Sequence, residues 1–140
     1  MTRRYTSSRI AVFVSFLVLF PPTAQSDEAD QQMGVAREMV RVLEAYAVYK
    51  MGQYDLAFER YQALAEAGSQ QGMYNLANMY AAGQGVEQSD DKAFEWYLKA
   101  AEAGDRLSMA EVARAYAGGI GTEPDPARAD YWQAKVADGP

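Results

Sequence analysis

The chain has 140 residues, a formal charge of −6, no cysteine and no histidine. Disulfides, thiol nucleophiles, imidazole bases and His/Cys metal centres are therefore closed to it. An acidic surface repels phosphate backbones, which argues against nucleic-acid binding, and the length suits one modest domain.

Residues 1–26 read as a secretory signal. Arg3, Arg4 and Arg9 form a basic head, Ile10 to Phe20 is apolar except for Ser15, and Pro21-Pro22 stops any helix. Ala24-Gln25-Ser26 then offers small residues where a signal peptidase reads. The rival reading is an uncleaved anchor, but the apolar run is roughly half of the ~20 residues that a membrane span needs. Without cysteine, a lipid-modified exported form is excluded. Cleavage removes three arginines and no acid, taking the charge from −6 to −9. The mature chain is then expected in the periplasm or secreted, with no stable membrane insertion and no attraction to anionic lipid.

Residues 27–32 are acidic and amide-rich and are expected to form a flexible, solvated leader. From Met33, the residues Ala36, Met39, Val40, Leu43, Ala47 and Tyr46 or Lys50 step at the spacing of one apolar helix face, and Gly52 ends the helix. Tyr54 to Ala67 makes the second helix, with Leu56, Ala57, Tyr61 and Leu64 on its buried side and Gly68 as a left-handed stop. Two helices joined by a few residues give a hairpin over 33–68.

The rest of the chain repeats with a period of 36. That shift places Ala57-Phe58-Glu59 on Ala93-Phe94-Glu95, Tyr61 on Tyr97, Ala65-Glu66-Ala67-Gly68 on Ala101-Glu102-Ala103-Gly104, Met73 on Met109 and Tyr80-Ala81 on Tyr116-Ala117. A partial third copy begins at Ala129, with Trp132 on Trp96. Such periods mark arrays in which each unit buries its apolar face against a neighbour. Ser69 and Asp105 are N-caps at equivalent places, Gly83 and Gly119 close the helices that follow, and Ser89 aligns with Asp125, which precedes Pro126 at a first turn. The units are 69–104 and 105–140. Ala57, Ala93 and Ala129 recur at one place and Ala77 and Ala113 at another, where only a small side chain lets helices approach closely. No strand pattern occurs, so the expected fold is all-α: six helices in three antiparallel hairpins, forming an α-solenoid.

The run Asp91-Lys92-Ala93-Phe94-Glu95-Trp96-Tyr97-Leu98-Lys99-Ala100-Ala101-Glu102-Ala103-Gly104-Asp105, preceded by Leu76 to Val86 with its Gly83-Gln84-Gly85 loop, resembles a Sel-one-like repeat, an α/α relative of the tetratricopeptide repeat. The last unit departs from the pattern at Thr122, Pro126-Ala127 and Lys135-Val136, and the first hairpin, with its shorter loop, is more similar to a tetratricopeptide unit. The resemblance implies an adaptor: exported bacterial members are generally interaction proteins of the envelope, of polysaccharide export or of host contact. It implies no catalytic residue and no cofactor.

Asp90-Asp91 before a helix reads as a solvated cap rather than a carboxylate pair or calcium site. Gly83-Gln84-Gly85 and Gly118-Gly119-Ile120-Gly121 follow no strand and carry no phosphate-binding lysine, so they read as helix stops. Glu59, Glu66, Glu95 and Glu102 read as solvated charges. Recognition is then expected where the units differ on the exposed side of each first helix: Gln71, Tyr74, Asn75 and Asn78 in the middle unit, Glu111 and Arg114 in the last, with Arg37 and Arg41 extending the stripe. Tyr74 stands out, because its counterpart is Ala110; it is either an interface anchor or a residue leaning on the neighbouring helix. Tyr131 and Trp132 on the last helix either pack or meet a partner or a second copy in a homodimer. Three functions remain open: an adaptor binding an envelope protein, a glycan-binding module that uses the tyrosines and tryptophans, and an enzyme working with carboxylates alone.

Overall fold

A computed structural model describes the backbone of residues 22–138 and the side chains of residues 26–138. The expected signal segment lies largely outside the described residues. Six helices follow in order: α1 Pro22–Lys50, α2 Tyr54–Glu66, α3 Gln70–Ala82, α4 Asp90–Glu102, α5 Arg106–Gly118 and α6 Pro126–Ala137. The described residues contain no strand, and the main packing is between helices adjacent in sequence, as three hairpins stacked in an α-solenoid require.

Local chemistry sets the boundaries. Ser69, Ser89, Asp105 and Asp125 each accept the backbone N–H three residues on, so every helix from α3 to α6 has a side-chain N-cap. Gly83 and Gly119 stop α3 and α5 in the left-handed conformation, at φ 64° and 66°. The loops that follow close where the N–H groups of Ser89 and Asp125 donate to the carbonyls of Tyr80 and Tyr116.

The N-terminal part differs from expectation in two respects. Residues 27–32 are solvent-exposed but helical, not a flexible leader, because α1 already begins at Pro22. Proline suits a first helical position, and no glycine or further proline interrupts the stretch from Thr23 to Met33. The second difference is the buried face of α1. Ala45 and Val48 are buried and Val42 and Tyr49 half-buried against α2, whereas Met33, Val35, Met39, Val40, Leu43 and Tyr46 are each more than half exposed. The helix carries two apolar stripes, and α2 covers only one. In α2 itself, Ala57, Tyr61 and Leu64 are buried as expected, while Leu56 sits at the margin, 38% exposed.

Two joined clusters form the core. The first collects Ala45, Val48, Ala57, Tyr61, Leu64, Leu76 and Met79; the second collects Ala77, Ala93, Tyr97, Val112, Ala113, Tyr116 and Trp132, with Tyr80 and Trp96 packed against both. Phe58 meets Tyr80 edge-on at 5.3 Å, and Phe94 meets Tyr116 in the same way at 5.2 Å, one repeat later. Ala57 and Ala77 are fully buried, so the recurring alanines are contact points between helices.

The second glycine of each loop has a separate task. A Cβ on Gly85 would lie 2.3 Å from the Tyr54 carbonyl oxygen, and one on Gly121 would lie 2.1 Å from that of Asp90. Both residues also have positive φ, 70° and 67°. Each loop thus presses on the first turn of the preceding hairpin's second helix, at a distance only glycine permits.

Two substitutions test this packing. Ala77→Leu is expected to cost about 1–3 kcal/mol by overpacking, seen as a lowered Tm. Gly85→Ala combines strain with a backbone clash and is expected to cost on the order of 1–3 kcal/mol. An unchanged urea midpoint in either variant contradicts the corresponding contact.

Candidate functional site

The first helices of the hairpins, α1, α3 and α5, border two adjacent dents whose floors come from α2 and α4. The first has a volume of about 380 Å³ and is lined by Tyr46, Tyr49, Tyr61, Asn75, Asn78, Met79, Ala82 and Gln84. The second, of about 230 Å³, is lined by Asp90, Phe94, Tyr97, Glu111, Arg114 and Ile120 among others. They are repeat-equivalent: Tyr61 corresponds to Tyr97, Asn75 to Glu111, Asn78 to Arg114 and Gln84 to Ile120. The floor is constant while the rim changes chemistry.

A tyrosine on a second helix is buried in both dents because its ring fills the space that the small residues leave between hairpins; Tyr61 is 2% exposed and Tyr97 7%. Tyr97 donates its hydroxyl hydrogen bond to Asn78 Oδ1, which ties α4 to α3 between the dents. Tyr49 donates to Gln84 Oε1 at 2.9 Å, tying α1 to the loop after α3. On the rim of the second dent the guanidinium of Arg114 grips Glu111 Oε2, with Nε at 3.0 Å. That bond and the Glu111 charge raise the Arg114 pKa, so the guanidinium stays charged. Burial pushes the Tyr61 phenol up to about 12, with Tyr46 and Tyr49 adding to the shift. Burial also raises Tyr97, and the nearby Glu111 carboxylate adds to it.

The residues expected from the sequence separate into two groups. Asn75, Asn78, Glu111 and Arg114 line the dents. Tyr74 does not: it is half-buried with its ring 6.0 Å from that of Tyr97, leaning on the neighbouring helix. Gln71 lies on another flank of α3, beside Val35, Met39, Val42 and Leu43. Arg37 and Arg41 border the groove between α1 and the end of α2, with Leu64. Trp132 is 8% exposed and belongs to the second core cluster, so the aromatic that α6 leaves on the surface is Tyr131. Sequence reasoning missed Tyr46, Tyr49, Tyr61 and Gln84. Recurrence marks a tyrosine as packing, whereas Tyr61 and Tyr97 pack and floor a dent at once.

In the two glycine loops, Gly83 and Gly119 cap helices, and Gly85 and Gly121 lie against backbone. Asp90 accepts from Gln88 Nε2 at 2.7 Å at the start of α4, and Glu59, Glu66, Glu95 and Glu102 are exposed. Among the described residues no group of three or more carboxylates converges as a metal site requires, and no helix is long and apolar enough to cross a membrane.

An all-α stack of hairpins with a dented groove along its first helices defines a helical-repeat protein. Residues 70–105 and 106–135 match the Sel1 repeat, so the chain carries two Sel1 repeats. Its fold is similar to a Sel1 repeat protein from Oxalobacter formigenes, at 27% identity and TM-score 0.65 over 69% of this chain. It is also similar to a protective antigen with an SLR fold from uropathogenic Escherichia coli strains, at 34% identity and TM-score 0.59 over 61% of this chain. The chain spans only 40% and 18% of the lengths of those two proteins. No curated protein sequence matches it significantly.

The phenols give a pH dependence of definite sign. Unfolded tyrosines titrate near 10 and both native groups titrate higher, so their contribution to stability is complete below about pH 10. It is lost as the pH rises towards 12, the native value for Tyr61. Thermal melts from pH 8 to 12 are expected to fall steeply above pH 10, and less steeply in a Tyr61→Phe/Tyr97→Phe double variant. Parallel curves would contradict the burial of these hydroxyls. Tyr97→Phe alone is expected to cost about 1 kcal/mol at neutral pH, because it leaves Asn78 without its donor.

Proposed function

We propose that this chain is an exported, non-catalytic adaptor that binds a protein segment of the bacterial envelope along its two dents. The observation that carries this reading is the pairing of a constant tyrosine floor with a rim that changes from amides to an ion pair. An array built this way offers successive sites to an extended segment, each reading a different side chain. Arg3, Arg4 and Arg9, the apolar run Ile10–Phe20 and Ala24-Gln25-Ser26 support export. The protective-antigen role of the Escherichia coli relative favours the same setting. The absence of histidine and cysteine supports a binding role over a catalytic one.

The test is affinity capture from an envelope extract, comparing the wild type with an Asn75→Ala/Arg114→Ala double variant. Both side chains are on the rim, so the variant is expected to stay folded and lose at least tenfold of the specifically captured protein. Undiminished recovery removes the groove as the binding face. Retention on envelope polysaccharide with no captured protein would move the assignment to glycan binding. The mass of the secreted chain, expected to correspond to cleavage near Ser26, checks export separately.

A further inference from the structure

We propose that the first dent holds a neutral amide group of the bound polypeptide, with the Tyr61 hydroxyl as a donor to its carbonyl oxygen. The proposal rests on the groove reading above and assigns the chemistry of one of its two sites. It starts from a mismatch between equivalent residues. Tyr97 donates to Asn78, 19 residues before it. The connection between α1 and α2, residues 51–53, is four residues shorter than that between α3 and α4, residues 83–89. The position facing Tyr61 as Asn78 faces Tyr97 therefore falls on Tyr46, whose charge state is felt at Tyr61. No hydrogen bond joins the two phenols, and the Tyr61 hydroxyl has no partner among the described residues although the residue is 98% buried. It is not sealed off either: the fully enclosed, unpaired side-chain polar atom among the described residues is Ser108 Oγ. The Tyr61 hydroxyl borders the dent, where a ligand can supply the acceptor that the protein does not.

The remaining groups define that ligand. Asn78 spends its Oδ1 on Tyr97, which leaves Nδ2 to donate. Gln84 spends its Oε1 on Tyr49, which leaves Nε2. Asn75 spends its Nδ2 on the Gln71 carbonyl at 2.8 Å, which leaves Oδ1 to accept. The amides thus offer two donors and one acceptor, and the phenol oxygens of Tyr46, Tyr49 and Tyr61 can accept as well: a mixed set that complements a carbonyl oxygen next to an N–H. No charged side chain lines this dent. A carboxylate or ammonium entering it would lose hydration without a counter-charge, and the −6 chain opposes a carboxylate further. The amide is an asparagine or glutamine side chain or a backbone peptide unit. A polypeptide is favoured over a sugar amide because the adjoining dent, reached across Asn78 and Tyr97, carries the Glu111–Arg114 pair for a second, charged position of the same strand.

Random linear peptides displayed on phage, selected on the protein, supply the probe. One recovered peptide is titrated by calorimetry into the wild type, Tyr61→Phe and Asn75→Ala/Arg114→Ala. Tyr61→Phe is expected to weaken binding at least fivefold with an unchanged Tm, since the free protein has no hydrogen bond there to lose. The fivefold difference should vanish when the peptide's asparagine or glutamine becomes alanine, or, for a backbone contact, when one peptide bond becomes an ester. Equal affinity of wild type and Tyr61→Phe overturns the proposal; if the double variant still loses binding, the groove reading stands without it. If neither variant differs from the wild type, both readings fail. A peptide aspartate, glutamate, lysine or arginine that couples to Tyr61 also overturns the amide assignment. So does selection that yields no peptide while an N-acetylglucosamine oligomer binds in a Tyr61-dependent way.

Discussion

The contact on which the architecture depends is glycine against backbone. Gly85 and Gly121 bring the loop of one hairpin onto the first turn of the preceding second helix, with no room for a methyl group. A loop held there fixes where α3 and α5 end, and therefore how far each first helix is displaced from the one before. The recurring alanines then set the distance between helices, and the aromatic pairs Phe58–Tyr80 and Phe94–Tyr116 fill what is left. The dents are a consequence of that spacing, since each opens where two first helices are held apart over a tyrosine.

This economy blurs the line between packing and recognition. A rule that assigns recurring residues to the core and varying ones to the partner serves for Asn75, Asn78, Glu111 and Arg114, which line the dents, and for Ala77 and Ala113, which are buried. It fails at Tyr61 and Tyr97, which recur because the fold needs a large ring there and yet present their hydroxyls to the groove. It fails in the other direction at Tyr74, which does not recur and packs on Tyr97. A long amphipathic side chain can serve the core with its ring and the surface with its tip.

The sequence by itself determined the all-α hairpin array, its 36-residue period, the capping residues and the small-residue positions. Those depend on local propensity and on contacts that the repeat states twice. Helix ends, for example, follow from Ser69, Asp105, Gly83 and Gly119 alone. Tertiary structure decided which stripe of α1 is buried, because Val42, Ala45 and Val48 differ from Met39, Val40 and Leu43 only in whether α2 lies over them. It also decided that Tyr97 finds Asn78 while the Tyr61 hydroxyl finds no hydrogen-bond partner among the described residues. That outcome turns on a loop four residues shorter, which changes which side chains oppose each other across a hairpin while leaving the helical pattern within each helix unchanged.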